Sequence, residues 1–189
     1  MVEHLLRISV QEPAIGVAYF YFDFNDAGKR TVGAAIRSLL QQLVAQCESV
    51  PNSLLNLYES HGNGSRNAEV PALLAGLRNI LLAFHQTYLV FDALDESTES
   101  EDVLELLHKI RSWDLSRVHT LVTSRQLPMI EESMGELATG RICLQDSGLN
   151  QDIILYIADK LENDKVLKQW PPEIRFQIQK NLLNQEDGM

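Results

Sequence analysis

Three carboxylates crowd into five positions of this chain, at Asp92, Asp95 and Glu96, directly after a run of apolar residues. The run reads Tyr88-Leu-Val-Phe91, which suits a strand buried on both faces of a parallel sheet. Negative charge at the end of a buried strand is costly unless a cation meets it there. Ligands of open α/β sheets bind just past the carboxyl ends of the strands. A hydrated Mg²⁺ carrying nucleotide phosphates satisfies that need, because Mg²⁺ takes one or two carboxylates and completes its shell with water and phosphate oxygens. An ordinary strand running into a solvated acidic turn would use the same residues. The segment 88–96 alone leaves both readings open.

A second run, Val118-His-Thr-Leu-Val-Thr-Ser-Arg125, reads as another buried strand that closes on polar and cationic groups. Beside the acidic strand end, Arg125 and Ser124 could contact a γ-phosphate or the water that attacks it. Arg125 could equally pair with Asp92 or Asp95 and do nothing more. The two strand ends together, opposite in charge, favour the first reading.

Other patterns carry less chemistry. Ala27-Gly-Lys-Arg-Thr31 follows a strand and precedes a helix, where a phosphate-binding loop would sit. That loop requires Gly-x-x-x-x-Gly-Lys-Ser/Thr, with glycine amides around the phosphate and a hydroxyl on Mg²⁺. Here Asp23 stands where the first glycine belongs and Arg30 replaces the hydroxyl, so the segment reads as a solvated turn. The five histidines show no metal spacing, and no nucleophile elbow or zinc-protease motif is present. Cys47 and Cys143 form no ligand set and read as reduced, buried thiols of an intracellular protein.

The elements that must hold these residues follow from apolar spacing. Val2, Leu5, Leu6 and Val10 imply an opening helix, and Val17 to Phe22 an aromatic-rich buried strand. Helix stripes run through Val32–Val44, a short helix spans Pro51–Tyr58, and Pro71 opens a helix through Phe84. A loop is expected over His61–Arg66. Thr98 and Glu101 match a capping box before a helix that buries Val103, Leu106, Leu107, Ile110 and Trp113. After strand Val118–Thr123 come a helix over Met129–Leu137, a strand over Arg141–Leu144 and two further helices, the first capped by Asn150. Alternating strands and helices mean α/β with a parallel sheet. The expected domains are an α/β unit over 1–147 and the start of a helical extension over 148–189.

Length and charge set outer limits. A chain of 189 residues, 45% hydrophobic and 22% charged, can bury one sizeable core. Its formal charge of −10 argues against nucleic-acid binding, which needs a basic surface. No apolar run approaches a membrane span, and no signal peptide is visible.

Taken together, these residues resemble the NACHT NTPases of the STAND class, in particular the nephrocystin-like N-terminal family common in fungal proteins. The matching segments are Ala18–Phe24, Leu39-Leu-Gln-Gln-Leu43, Tyr88–Glu96, Leu121–Arg125, Trp170–Arg175 and Asp187-Gly-Met189. The resemblance implies a P-loop NTPase-like fold, cytoplasmic, acting as a nucleotide-controlled signalling switch with ATP or GTP and Mg²⁺ as cofactors. Asp92 would be the Mg²⁺-coordinating aspartate of a Walker B strand, Asp95 and Glu96 the pair that orients or activates water, and Arg125 with Ser124 the sensor 1 segment. Partners would be the protein's own N-terminal effector and C-terminal repeat domains, such as ankyrin repeats, and further copies of itself.

The resemblance also implies a P-loop strand just before the opening helix, in a sheet ordered 5-1-4-3-2. That strand is missing here, so the chain is expected to be an internal piece of a NACHT module or a truncated gene product. As such it should bind Mg-nucleotide weakly and fold marginally. A degenerate interaction module that binds no nucleotide is the competing reading.

Overall fold

The computed structural model describes residues 1–62, 67–143 and 149–184. The described chain forms two compact units, 1–137 and 138–189.

Three parallel strands form the sheet of the first unit in the order β1-β2-β3. They are β1 (Ile15–Tyr21), β2 (Gln86–Asp92) and β3 (Val118–Val122). The register runs from Ile15 opposite Gln86 to Tyr21 opposite Asp92, and from Thr87 opposite Val118 to Phe91 opposite Val122. Helices flank the sheet: α1 (Val2–Gln11), α2 (Val32–Gln46), α3 (Asn52–Ser60), α4 (Val70–Leu81), α5 (Ser100–Ser112) and α6 (Pro128–Leu137). The fold class is thus α/β, with helices around a parallel sheet.

The periodicities place the core directly. Ala18, Phe20, Leu89 and Phe91 meet Ile36, Leu39, Leu43, Leu77 and Ile80 in one cluster, and Val103, Leu107 and Ile110 of α5 join it. Gly16 is held there by close packing, because a Cβ would stand 2.9 Å from the Phe84 ring. Helix α1 lies against β1 without burying any of its residues.

At the free edge of β1, α2 supplies two glutamines. Gln46 Nε2 donates to the Val17 carbonyl at 2.7 Å while Gln46 Oε1 accepts from the Val17 N–H at 3.0 Å. One helical turn earlier, Gln42 treats Tyr19 the same way, at 2.8 and 3.1 Å. Each primary amide takes the place of a peptide group in a neighbouring strand, which closes an edge that would otherwise expose unpaired donors and acceptors. Both residues belong to the Gln-rich face whose Leu-Leu-Gln-Gln-Leu portion carried the resemblance.

Several expectations are corrected. Strand β3 is not buried: His119, Thr120 and Leu121 are exposed, because among the described residues only β2 pairs with it and little packs on its faces. The capping box before α5 does not form. Thr98 Oγ1 donates instead to the Arg30 carbonyl at 3.2 Å, and Glu99 at the N-cap reaches across to the Val32 N–H at 2.9 Å, capping α2 alongside Thr31. Of the expected strand Arg141–Leu144, residues 141–143 are described and pair with no strand; Ile142 is 84% exposed, and a strand exists only by pairing. Leu144 lies outside the described residues. Cys47 and Cys143 are half-buried rather than buried, since Cys47 sits just past the end of α2 rather than inside the core.

The second unit contains α7 (Leu149–Asn163) and α8 (Pro172–Asn184). Asn150 falls inside α7 rather than before it, because Leu149 already begins the helix. Asp164 organises the connection by accepting from the Val166 and Leu167 N–H groups at 2.8 and 3.1 Å. Leu161 is buried, and Arg175 reaches back to its carbonyl. Residues 63–66 of the expected loop and the segment Asp187–Met189 lie outside the described residues.

Candidate functional site

The carboxyl ends of β2 and β3 are tied together by a single threonine. Thr123 donates its N–H to the Phe91 carbonyl at 2.9 Å and accepts the Leu94 N–H at its own carbonyl at 3.0 Å. Its hydroxyl donates to Asp92 Oδ1 and accepts the Ala93 N–H at 3.0 Å. These bonds fold the chain abruptly after Asp92. Ala93 turns into the left-handed region at φ 56°, and Leu94–Glu96 close one 3₁₀ turn with Leu94 buried beneath. Reading the sequence for chemistry singled out Ser124 and Arg125 and missed Thr123. The only signal in the sequence was its place as the polar residue just past Val122.

The turn delivers Asp95 to the end of β3. Asp95 Oδ2 accepts from Arg125 Nε at 2.7 Å, and Oδ1 accepts from the Arg125 N–H at 3.1 Å. Ser124 Oγ donates to the Arg125 carbonyl at 2.9 Å and lies 3.4 Å from Asp95 Oδ1. The Asp95 side chain is only 6% exposed, whereas that of Arg125 is 63% exposed. Burial would raise the Asp95 pKa, but the Arg125 N–H, its own N–H and the guanidinium outweigh burial and hold the carboxyl below the usual range. Asp95 is therefore a fixed anion. Among the described residues the two Nη nitrogens of Arg125 make no hydrogen bond, nor does the second oxygen of Asp92 or the carboxylate of Glu96.

The structure thus gathers Asp92, Asp95, Glu96, Ser124 and Arg125 at one edge of the sheet, past adjacent strands. Tyr21 at the end of β1 completes the row, since it registers with Asp92. Burial, and then the Asp92, Tyr19 and Glu3 charges, push its phenol pKa up. The influence of Glu3 also locates α1. It packs against β1, with the Glu3 carboxylate near enough to the Tyr21 phenol to act on it.

The residues fit a magnesium ion in a limited way. Asp92 keeps one oxygen for the cation or one of its waters, while Thr123 fixes the other. Among the described residues no three His, Cys, Asp or Glu side chains form a cage. Mg²⁺ needs none, because phosphate oxygens and water normally supply most of its ligands.

A model of the nephrocystin 3 N-terminal family matches residues 1–125. The chain belongs to this family. The match ends at Arg125, so in this nephrocystin-type module it takes in the whole sheet and every residue of the candidate site. No curated protein and no solved structure matches the chain.

The Gly28–Lys29 turn is the solvated turn that its residues suggest. Asp23 Oδ1 accepts the Asn25 N–H and Asp26 Oδ1 accepts the Gly28 N–H, both at 2.9 Å, and Lys29 pairs with Asp26 at 3.5 Å. Its own aspartates occupy the donors that a phosphate would need.

Proposed function

We propose that this nephrocystin-type chain is part of a NACHT-type signalling switch of the P-loop NTPase class, which in the intact protein binds and hydrolyses ATP or GTP with Mg²⁺. The observation that carries the reading is the meeting of Asp92, Asp95 and Arg125 past the carboxyl ends of adjacent parallel strands. Asp92 would hold Mg²⁺ in a Walker B role, and Arg125 with Ser124 would face the γ-phosphate. Glu96, half-buried and unengaged among the described residues, would orient the attacking water. Bound Mg²⁺ would supply charge neutralisation of the phosphates. The protein's part is positioning and electrostatic stabilisation.

In this reading the module works in the cytoplasm, between an N-terminal effector domain and C-terminal repeats of the same protein, and assembles with further copies of itself. No helix among the described residues is long and apolar enough to cross a membrane. A second reading, an interaction module that binds no nucleotide, draws support from the Gly28–Lys29 turn, whose amides are already taken.

Titration of the intact protein with MgATP and MgGTP separates the two. The switch predicts binding that falls at least about tenfold in Asp92→Asn, the loss of one charge-assisted contact. Absence of binding at about 1 mM nucleotide, the weak end of specific affinity, would establish the interaction module instead.

A further inference from the structure

We propose that Asp95 is a positioning residue: it grips Arg125 through Nε so that both Nη nitrogens are held toward an incoming phosphate, and it does not itself activate water. The proposal rests on the nucleotide reading and reassigns one of its carboxylates.

Three observations carry it. Both Asp95 oxygens are engaged by Arg125, Oδ2 by Nε at 2.7 Å and Oδ1 by the backbone N–H at 3.1 Å. A general base must reach its proton with a free lone pair and a pKa near the working pH. The Asp95 side chain is only 6% exposed, both its oxygens already accept from Arg125, and its pKa is held below the usual range, so it is poorly placed to take a proton from water and too weak a base to keep one.

Arg125, by contrast, is anchored at one end and open at the other. Its backbone N–H and Nε fix the start and middle of the side chain, while the guanidinium is largely exposed. A guanidinium offers five donors in a rigid fork, and holding Nε leaves the Nη pair aligned for two oxygens of one phosphate. An unanchored arginine would lose rotamer freedom on binding, a cost that Asp95 removes in advance. Ser124 adds to the restraint, because its hydroxyl is bonded to the Arg125 carbonyl. Glu96, next in the turn and without a hydrogen-bond partner among the described residues, remains the carboxylate to face water.

Side-chain NMR of the intact protein labelled with ¹⁵N-arginine gives the first test, with Arg125→Lys to assign the Arg125 Nε–H signal. The expected signal is resolved and exchanges about tenfold more slowly than those of exposed arginines, as one charge-assisted hydrogen bond implies. Asp95→Asn, which keeps the shape but loses the charge and one acceptor, should return it to their range. A wild-type signal already in that range would overturn the proposal.

The second test is a double-mutant cycle on MgATP and MgGTP affinity in the intact protein. A residue that acts through Arg125 should weaken binding in Asp95→Asn and add no further loss to Arg125→Ala. Unchanged affinity in Asp95→Asn with hydrolysis abolished would show that Asp95 is the base and sink the proposal. A wild-type protein that binds neither nucleotide would instead remove the function reading, and the Nε–H signal would then decide the role of Asp95 by itself.

Discussion

Gln46 of α2 bonds twice to one residue of β1, donating to the Val17 carbonyl and accepting from the Val17 N–H. Val17 is fully buried, so neither backbone group has water as an easy substitute. Gln46→Leu should therefore cost about 2–3 kcal/mol, from two buried groups left unpaired at roughly 1–3 kcal/mol each with partial relaxation at the edge. Urea unfolding would show a lower midpoint at unchanged slope. A loss below about 0.5 kcal/mol, the scatter of ordinary surface substitutions, would mean that the amide is not needed to close this edge.

The residues that pack in layers were legible in the sequence, and the residues that bridge layers were not. Apolar period alone locates β1, α2, α4, β2 and α5 to within a few residues, because Phe20, Leu39, Leu77, Phe91 and Leu107 have one place to go. Gln42 and Gln46 lie on the half-buried side of a helix, and nothing local says that their amides will meet a strand edge. Glu99 and Thr98 illustrate the same limit. Both are cap-forming residues beside α5, yet tertiary contact sends one to Val32 and the other to Arg30. At the site, charge and strand ends pointed to Asp92, Asp95 and Arg125, whereas Thr123 showed only as a polar strand end, because its role depends on the register of β3 against β2.

Ala93 carries backbone strain that the site turn requires. An alanine in the left-handed region costs about 1–2 kcal/mol relative to its preferred conformation, and glycine does not pay it. Ala93→Gly should raise stability by up to about 1 kcal/mol once the entropy of the unfolded glycine is counted. Ala93→Val should lower stability, because a β-branched residue fits this region least well. Thermal unfolding of the three proteins side by side checks the order. Glycine ranking below alanine would show that the turn relaxes in solution.

Asp95 makes acid stability depend on Arg125. A carboxyl whose folded pKa lies below its unfolded value, about 3.9, stabilises the fold above that unfolded value and loses the contribution as pH falls through the folded one. Arg125→Ala removes the guanidinium but leaves the backbone N–H, so Asp95 should titrate higher in the variant. The stability gap between wild type and variant should be full at neutral pH and shrink as pH drops below about 4. Urea titrations across that range measure it, and a gap that stays constant would show that Asp95 is not the linked group.

The two outer strands of the sheet differ in how their edges are covered. Glutamines close β1, whereas β3 pairs only with β2 among the described residues and exposes His119, Thr120 and Leu121. An open edge with apolar Leu121 beside it is a template for another strand. The chain on its own should therefore associate with rising concentration, from about the micromolar range in which exposed strand edges become hazardous. Leu121→Lys places a charge on that edge and should delay association at least about tenfold, while changing stability by no more than about 0.5 kcal/mol at a position already 39% exposed. Analytical ultracentrifugation of both proteins over a concentration series, with unfolding curves alongside, reads the two effects separately. A wild-type chain that stays monomeric throughout would mean that something other than pairing protects β3. If both proteins associate equally, the sticky surface lies elsewhere, and the exposed apolar residues Leu155 and Tyr156 of α7 become the next to test.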